Sequence, residues 1–139
     1  MTDLPVVVPD VTADVLPFWD GAATDRLVIP RCRDCATFVW YPRAMCPECH
    51  SVDVAWVEVS GGGTIYSFTI SHRAAGAWAD HVPYVIAYVE LDEGPRVLTN
   101  IVGADLDALR IGDPVTPVFH AAGATKVLRF TPASRAGGG

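Results

Sequence analysis

The placement of the cysteines constrains this chain more than any other feature. All four lie between Arg31 and His50, in the string RCRDCATFVWYPRAMCPECH. The pattern is C-x2-C, ten intervening residues, then C-x2-C. Each C-x2-C is a tight turn that aims two thiolates at one point. Two such knuckles, Cys32/Cys35 and Cys46/Cys49, complete a closed tetrahedral S4 shell, which suits zinc. Iron suits the same donors chemically, and colour separates the two. Two disulfides or four idle thiols are the competing readings, and a reduced cytosolic chain rarely pairs cysteines this way. Between the knuckles, Thr37-Phe38-Val39-Trp40-Tyr41 is rich in strand formers and Pro42 ends it. Knuckle, short hairpin, knuckle predicts a zinc ribbon over 27–52. His50 follows Cys49 directly, but four thiolates already fill the shell, so it reads as an exposed or capping residue. A closed shell leaves no position for water or substrate. The metal then holds shape, with binding energy on the order of 10 kcal/mol acting as folding energy.

The rest of the chain must fit around that ribbon. With 139 residues, it suits one domain or two small ones sharing a surface. The formal charge is −6, and zinc bound through four thiolates makes it more negative still. Phosphate backbones repel such a chain, so neither nucleic acid nor an anionic membrane is expected as a partner. Met1 to Asp10 lacks the basic and apolar regions of a signal peptide, and no apolar run approaches ~20 residues. The expected compartment is the cytoplasm, where thiols stay reduced.

An N-terminal arm and helix are expected over 1–26. Val15, Phe18, Trp19 and Ala22 recur at helical spacing within Asp14–Thr24. Asp14 fits the N-cap, and Pro17 falls in the first turn, where a missing N–H does no harm. Phe18 and Trp19 dock either on the chain's own ribbon or on a partner. From 53 to 132 the chain reads as all-β, with strands expected at Val54–Ser60, Thr64–Ser71, Pro83–Leu91, Arg96–Val102 and, as one strand or a pair, Val115–His120 and Lys126–Thr131. Leu106 to Leu109 reads as one helical turn, and 133–139 as a disordered tail. Five or six short strands with glycine turns predict a closed barrel, for which an OB-fold fits the count as other small barrels also do. Tyr66, Phe68 and Ile70 are expected to share one face of their strand. Val85, Ala87, Val89 and Leu91 should fill the barrel. Tyr84, Ile86, Tyr88 and Glu90 form an outer face too apolar for plain exposure. The long loop His72–Val82, with Arg73, Trp78, Asp80 and His81, is either functional or an Ω-loop that buries Trp78.

The ordered motifs PFWDG, RLVIPRCRDC, FVWYPRAMCPEC, SGGGTIYSFTISHR, PYVIAYVELDEGPRVL and LRIGDPV cover about Leu16 to Phe130. In that order and spacing the chain closely resembles the acyl-CoA-associated OB-fold family with a rubredoxin-like zinc ribbon, long catalogued as a domain of unknown function. The resemblance implies a mainly β chain: helix, zinc ribbon, OB-fold barrel of five or six strands. It implies an accessory subunit of a thiolase-superfamily enzyme, whether thiolase, acyltransferase or steroid side-chain aldolase. Such a subunit packs on a thiolase-like dimer, as in a heterotetramer, and helps enclose the acyl-CoA ester while the partner holds the catalytic residues. On that reading Arg43, His72, Arg73, Trp78 and His81 are candidates for contact with CoA or its channel. Phe18, Trp19, Tyr41, Tyr84 and Tyr88 are candidates for the partner interface. Surface ion pairs for the arginines and self-packing for Trp78 stand beside those roles.

Three other functions remain to be weighed. Independent catalysis could use His72, Asp80 and His81 as acid–base groups, but the chain shows no nucleophile elbow, phosphate loop or spare cysteine. A stand-alone acyl-CoA binder needs no partner. A nucleic-acid-binding ribbon and OB-fold could stack bases on Tyr66, Phe68, Tyr84 and Tyr88, against the acidic charge.

Overall fold

The computed structural model describes residues 4–133. The tail expected at 133–139 therefore lies, apart from its first residue, outside the described residues. The first element is the helix α1, Leu16–Ala23. Pro17 sits in its first turn, as expected, but Asp14 is not the cap. Val15 occupies that position without a side-chain bond, while Asp14 accepts from the Thr12 hydroxyl. Gly21 explains the abrupt exit from the helix. A Cβ there would meet Val28 Cγ2 at 2.6 Å, and the Gly21 carbonyl accepts from Arg26 N at 2.9 Å. The chain thus folds straight back from α1 into β1, Leu27–Cys32. Phe18 is 6% exposed and packs edge-on to Trp19 at 4.9 Å and against Trp40 at 5.6 Å. The helix therefore docks on its own chain.

The ribbon sheet differs from the expected hairpin. β1 pairs antiparallel with β2, Val54–Val59, from Leu27↔Val59 to Cys32↔Val54. The strand expected to open the barrel thus pairs outside it. Thr37–Tyr41 forms no strand and contributes only the isolated bridge Arg31↔Phe38. Pro30 supplies the reason. Its carbonyl accepts from Val39 N at 2.8 Å, so its nitrogen faces the same segment and has no hydrogen to give.

Five strands close the barrel: β3 Gly63–Ser71, β4 Tyr84–Leu91, β5 Arg96–Ile101, β6 Pro114–Ala122 and β7 Thr125–Pro132. Their order is β3-β4-β5-β7-β6, and β6 returns to β3 through Gly63↔Val115 and Thr64↔Pro114. Only the β5–β7 seam is parallel, and it rests on the single pair Ile101↔Phe130. The chain is thus mainly β, with helix, ribbon and a closed five-stranded barrel of OB-fold type. Gly63 stands at the closure, where a Cβ would lie 2.5 Å from the Glu90 carbonyl oxygen. Residues 105–108 make one turn, closed by Ala108 N to Asp105 O at 3.0 Å. Among the described residues no helix is long and apolar enough to cross a membrane.

Val85, Ala87, Val89 and Leu91 do fill the barrel, with Ile65, Val97, Ile101, Val115 and Phe130. Full burial of such side chains contributes roughly 1.5–3 kcal/mol each. β3 departs from simple alternation. Ile65 pairs with Val89 but Ser67 with Tyr88, so Tyr66 is the extra residue of a bulge. Ile65, Phe68 and Ile70 consequently pack on the core, and Tyr66 points outward with Arg96 over its ring at 3.9 Å. The expected shared face of Tyr66, Phe68 and Ile70 is corrected by that one residue.

Candidate metal centre and barrel cleft

The two knuckles are built alike. Ala36 N donates to Cys32 O at 3.0 Å and His50 N to Cys46 O at 2.9 Å. Cys32 N reaches Thr37 O, and Cys46 N reaches Ser51 O, each at 2.9 Å. Ala36 and His50 both take left-handed φ, 66° and 65°. Backbone N–H groups of Cys35 and Glu48 point at Cys32 Sγ (3.5 Å) and Cys46 Sγ (3.4 Å), the polarity a bound thiolate requires.

All four sulfurs lie within 4.8 Å of one another. Cys32 and Cys49 are 3.6 Å apart across the knuckles, as are Cys35 and Cys46. A tetrahedron with Zn–S bonds of about 2.3 Å has edges of about 3.8 Å, so these two pairs already stand near zinc-ligand spacing and the group as a whole is within reach of one ion. Cys32 and Cys46 are buried, and Cys35 and Cys49 face outward. In the metal-free cluster the two outward thiols are driven in opposite directions. The Thr37 hydroxyl, 3.2 Å away, brings the Cys35 thiol down to about 6. At Cys49 a backbone hydrogen bond to Ser51 lowers the thiol, but the Cys32 thiol and desolvation outweigh it and push the group up to about 12. Zinc removes that conflict by supplying the compensating charge. His50 stays exposed outside the sulfur group.

The other candidate residues do not form one site. Arg43 is exposed in the ribbon, and its Nε donates to Tyr41 O at 3.4 Å. Tyr41 is 53% exposed and edge-on to Trp40 at 5.5 Å. His72 and Arg73 are exposed at the start of the long loop. That loop contains a 3-10 turn, Gly76–His81, which carries Trp78 onto Tyr84 with ring centroids 4.7 Å apart. Both rings are half-buried and line a shallow groove with Ile86, Leu98 and Asn100. Tyr88 is 45% exposed on the same outer face. Phe18 is buried in the shared core, and Trp19 is half-buried against it.

His81 and Tyr84 also line a second, larger cleft of about 560 Å³, with Val85, Ile101, Val118 and His120. Sequence reasoning did not single out Val118 or His120. The cleft draws its walls from the N-terminal arm, the long loop and four barrel strands, and no local pattern marks residues gathered from so many segments.

Comparison with known proteins gives one answer. Family models described as "ChsH2, rubredoxin-like zinc ribbon domain" and "ChsH2, C-terminal OB-fold domain" match residues 19–54 and 56–120. A DUF35 domain-containing scaffold protein of Methanothermobacter thermautotrophicus is 38% identical over 91 residues, 65% of this chain and 68% of that protein. The benzoylsuccinyl-CoA thiolase subunit BbsA of Geobacter metallireducens is 30% identical over 110 residues, 77% of this chain and 73% of that one. A probable enoyl-CoA hydratase alpha subunit of Thermomonospora curvata is 41% identical over 77% of this chain, which spans only 33% of that longer protein. Among solved structures, a chain of an "Ltp2-ChsH2(DUF35) aldolase" superimposes with a TM-score of 0.80 at 37% identity, over 91% of this chain and 99% of that one. With the same ribbon, the same barrel and matches across both, the chain belongs to the ChsH2/DUF35 family of zinc-ribbon OB-fold proteins.

Proposed function

We propose that this chain is a non-catalytic subunit that binds a thiolase-superfamily enzyme and helps enclose its acyl-CoA substrate. The observation that carries the reading is the near-complete overlap with the ChsH2(DUF35) chain of an aldolase assembly, 99% of that chain at a TM-score of 0.80. The likeness to a benzoylsuccinyl-CoA thiolase subunit points to the same class of partner. The chain's own chemistry agrees. All four cysteines are gathered in one metal shell, so no thiol remains for acyl transfer.

In this reading zinc locks the ribbon, and the ribbon presents Tyr41 and Arg43 at its surface. The barrel presents Tyr88 and the Trp78–Tyr84 pair, and the loop presents His72 and Arg73. Aromatic rings and arginine are the side chains that dominate protein interfaces, and the arginine fork matches phosphate. Two copies on a thiolase-like dimer would make a heterotetramer. The test is affinity purification of the tagged chain from its native lysate at gentle salt, with mass spectrometry of the eluate. A stoichiometric thiolase-like subunit, lost with Cys35→Ser, is the expected result. A clean monomer would replace this reading with a self-sufficient acyl-CoA binder.

A further inference from the structure

The β5–β7 seam is the shortest ladder of the barrel. It has one residue pair, extended by Val102 N to Phe130 O at 2.8 Å, whereas β6 and β7 share eight. The larger cleft opens beside this seam. Core side chains Val85 and Ile101 form part of its wall, and Val118 and His120 of β6 form another. Most of the lining is aliphatic, so the cleft favours an apolar occupant.

One polar group in it has a defined orientation. Arg129 is 5% exposed, and its Nη1 lies 3.0 Å from His120 Nδ1 and 3.0 Å from Leu4 O. Its Nη2 donates to Pro5 O. A guanidinium can only donate, so Nδ1 must accept, and the neutral ring then carries its proton on Nε2. Among the described residues no acceptor meets that Nε2–H. The arm and Arg129 therefore hold His120 in one tautomer, with Nε2–H as its free donor, at a cleft that is mainly aliphatic and whose other polar side chains are Asp80, His81, Tyr84 and Thr131.

We propose that this cleft binds a compact apolar ligand with one carbonyl oxygen, which accepts from His120 Nε2–H. The carbonyl is that of a free ketone or of an acyl thioester. A molecule of the same shape without an acceptor leaves the donor unpaired, which is how such sites discriminate. This inference goes beyond the subunit reading. The cleft is made by this chain alone, so its test needs no partner and its failure leaves the partner question standing.

The test is calorimetric titration of the zinc-loaded full chain with 2-acetylnaphthalene and with 2-ethylnaphthalene, which lacks only the oxygen acceptor. The acetyl compound should bind about ten-fold more tightly, the worth of one hydrogen bond. His120→Phe should abolish that preference while the ethyl compound still binds. His120→Gln, whose amide can accept from Arg129 and still donate, should restore it. Val118→Trp should fill the cleft and weaken both. Zinc content and a cooperative melt establish that each variant folds. Competition by 2-naphthoyl-CoA but not by CoA would support the site and identify a thioester as the source. Failure of naphthoyl-CoA to compete would support a site for free ketones. Equal affinities for the two naphthalenes in the parent protein, no binding of either, or an unchanged preference in His120→Phe would overturn the proposal.

Discussion

The ribbon and the barrel are stabilised in different ways. The barrel closes five strands around side chains such as Val85, Val89 and Phe130, all fully buried. The ribbon has a two-stranded sheet, and such sheets are marginal at best in water. Its buried side chains include Cys32 and Cys46. The turns differ in the same sense. The barrel turns into left-handed φ on glycines such as Gly94 and Gly112, while the knuckles place Ala36 and His50 there. A metal shell can hold backbone that apolar burial alone would not. Part of the interface between the two is shared, because Leu27 and Ile29 of β1 and Phe18 of α1 join the barrel's core cluster.

The sharpest way to break this comparison is to remove the metal. Chelation, or Cys46→Ser, should cost the ribbon on the order of 10 kcal/mol. Trp40 and Trp56 fluorescence should shift to that of exposed indoles, and β1–β2 amides should exchange freely. β3–β7 should remain protected. If the barrel amides open together with the ribbon, the shared cluster of Phe18, Leu27 and Ile29 makes the two a single cooperative unit. A substitution in the barrel should do the converse. Phe130→Ala should destabilise by about 3–5 kcal/mol through a lost aromatic and the cavity left behind. Zinc affinity, read by competition with a chelator, should not change. Below that in size comes Gly63→Ala, which drives a methyl group toward the Glu90 carbonyl at the closure and should cost about 1–3 kcal/mol in thermal unfolding.

The two regions also differed in how far their sequences could be read. The metal shell was legible because ligand chemistry is local: Cys32, Cys35, Cys46 and Cys49 announce it through spacing alone. The strand core of β4 was legible because Val85, Ala87, Val89 and Leu91 alternate without interruption. Tyr66 was not, because a bulge adds one residue to β3 and leaves no mark in the sequence, so every residue before it changes face. Nor was the partner of Val54–Val59, since alternation reports a buried face but not which strand lies alongside. Phe18 had a pattern that specified an apolar surface and left open what would cover it. The cleft around His120 was least legible, because its donor depends on Arg129 and on the arm at Leu4 and Pro5, far apart in the chain.

The smallest expected effect has the opposite sign and tests the knuckles directly. His50 holds φ at 65°, a conformation that glycine adopts without the Cβ penalty. Its backbone N–H donates to Cys46 O, a bond that glycine keeps. Its imidazole is exposed, so nothing packed is lost on removal. Glycine costs more entropy in the unfolded chain, which offsets part of the gain. His50→Gly should therefore tighten zinc binding slightly, by about 1 kcal/mol or less, seen as up to about a five-fold shift in chelator competition. Gly63→Ala in the barrel should lose stability while His50→Gly in the ribbon gains it, though both sites concern one Cβ. If His50→Gly instead weakens zinc binding, the imidazole contributes to the metal centre, and the closed four-thiolate shell is not the whole of it.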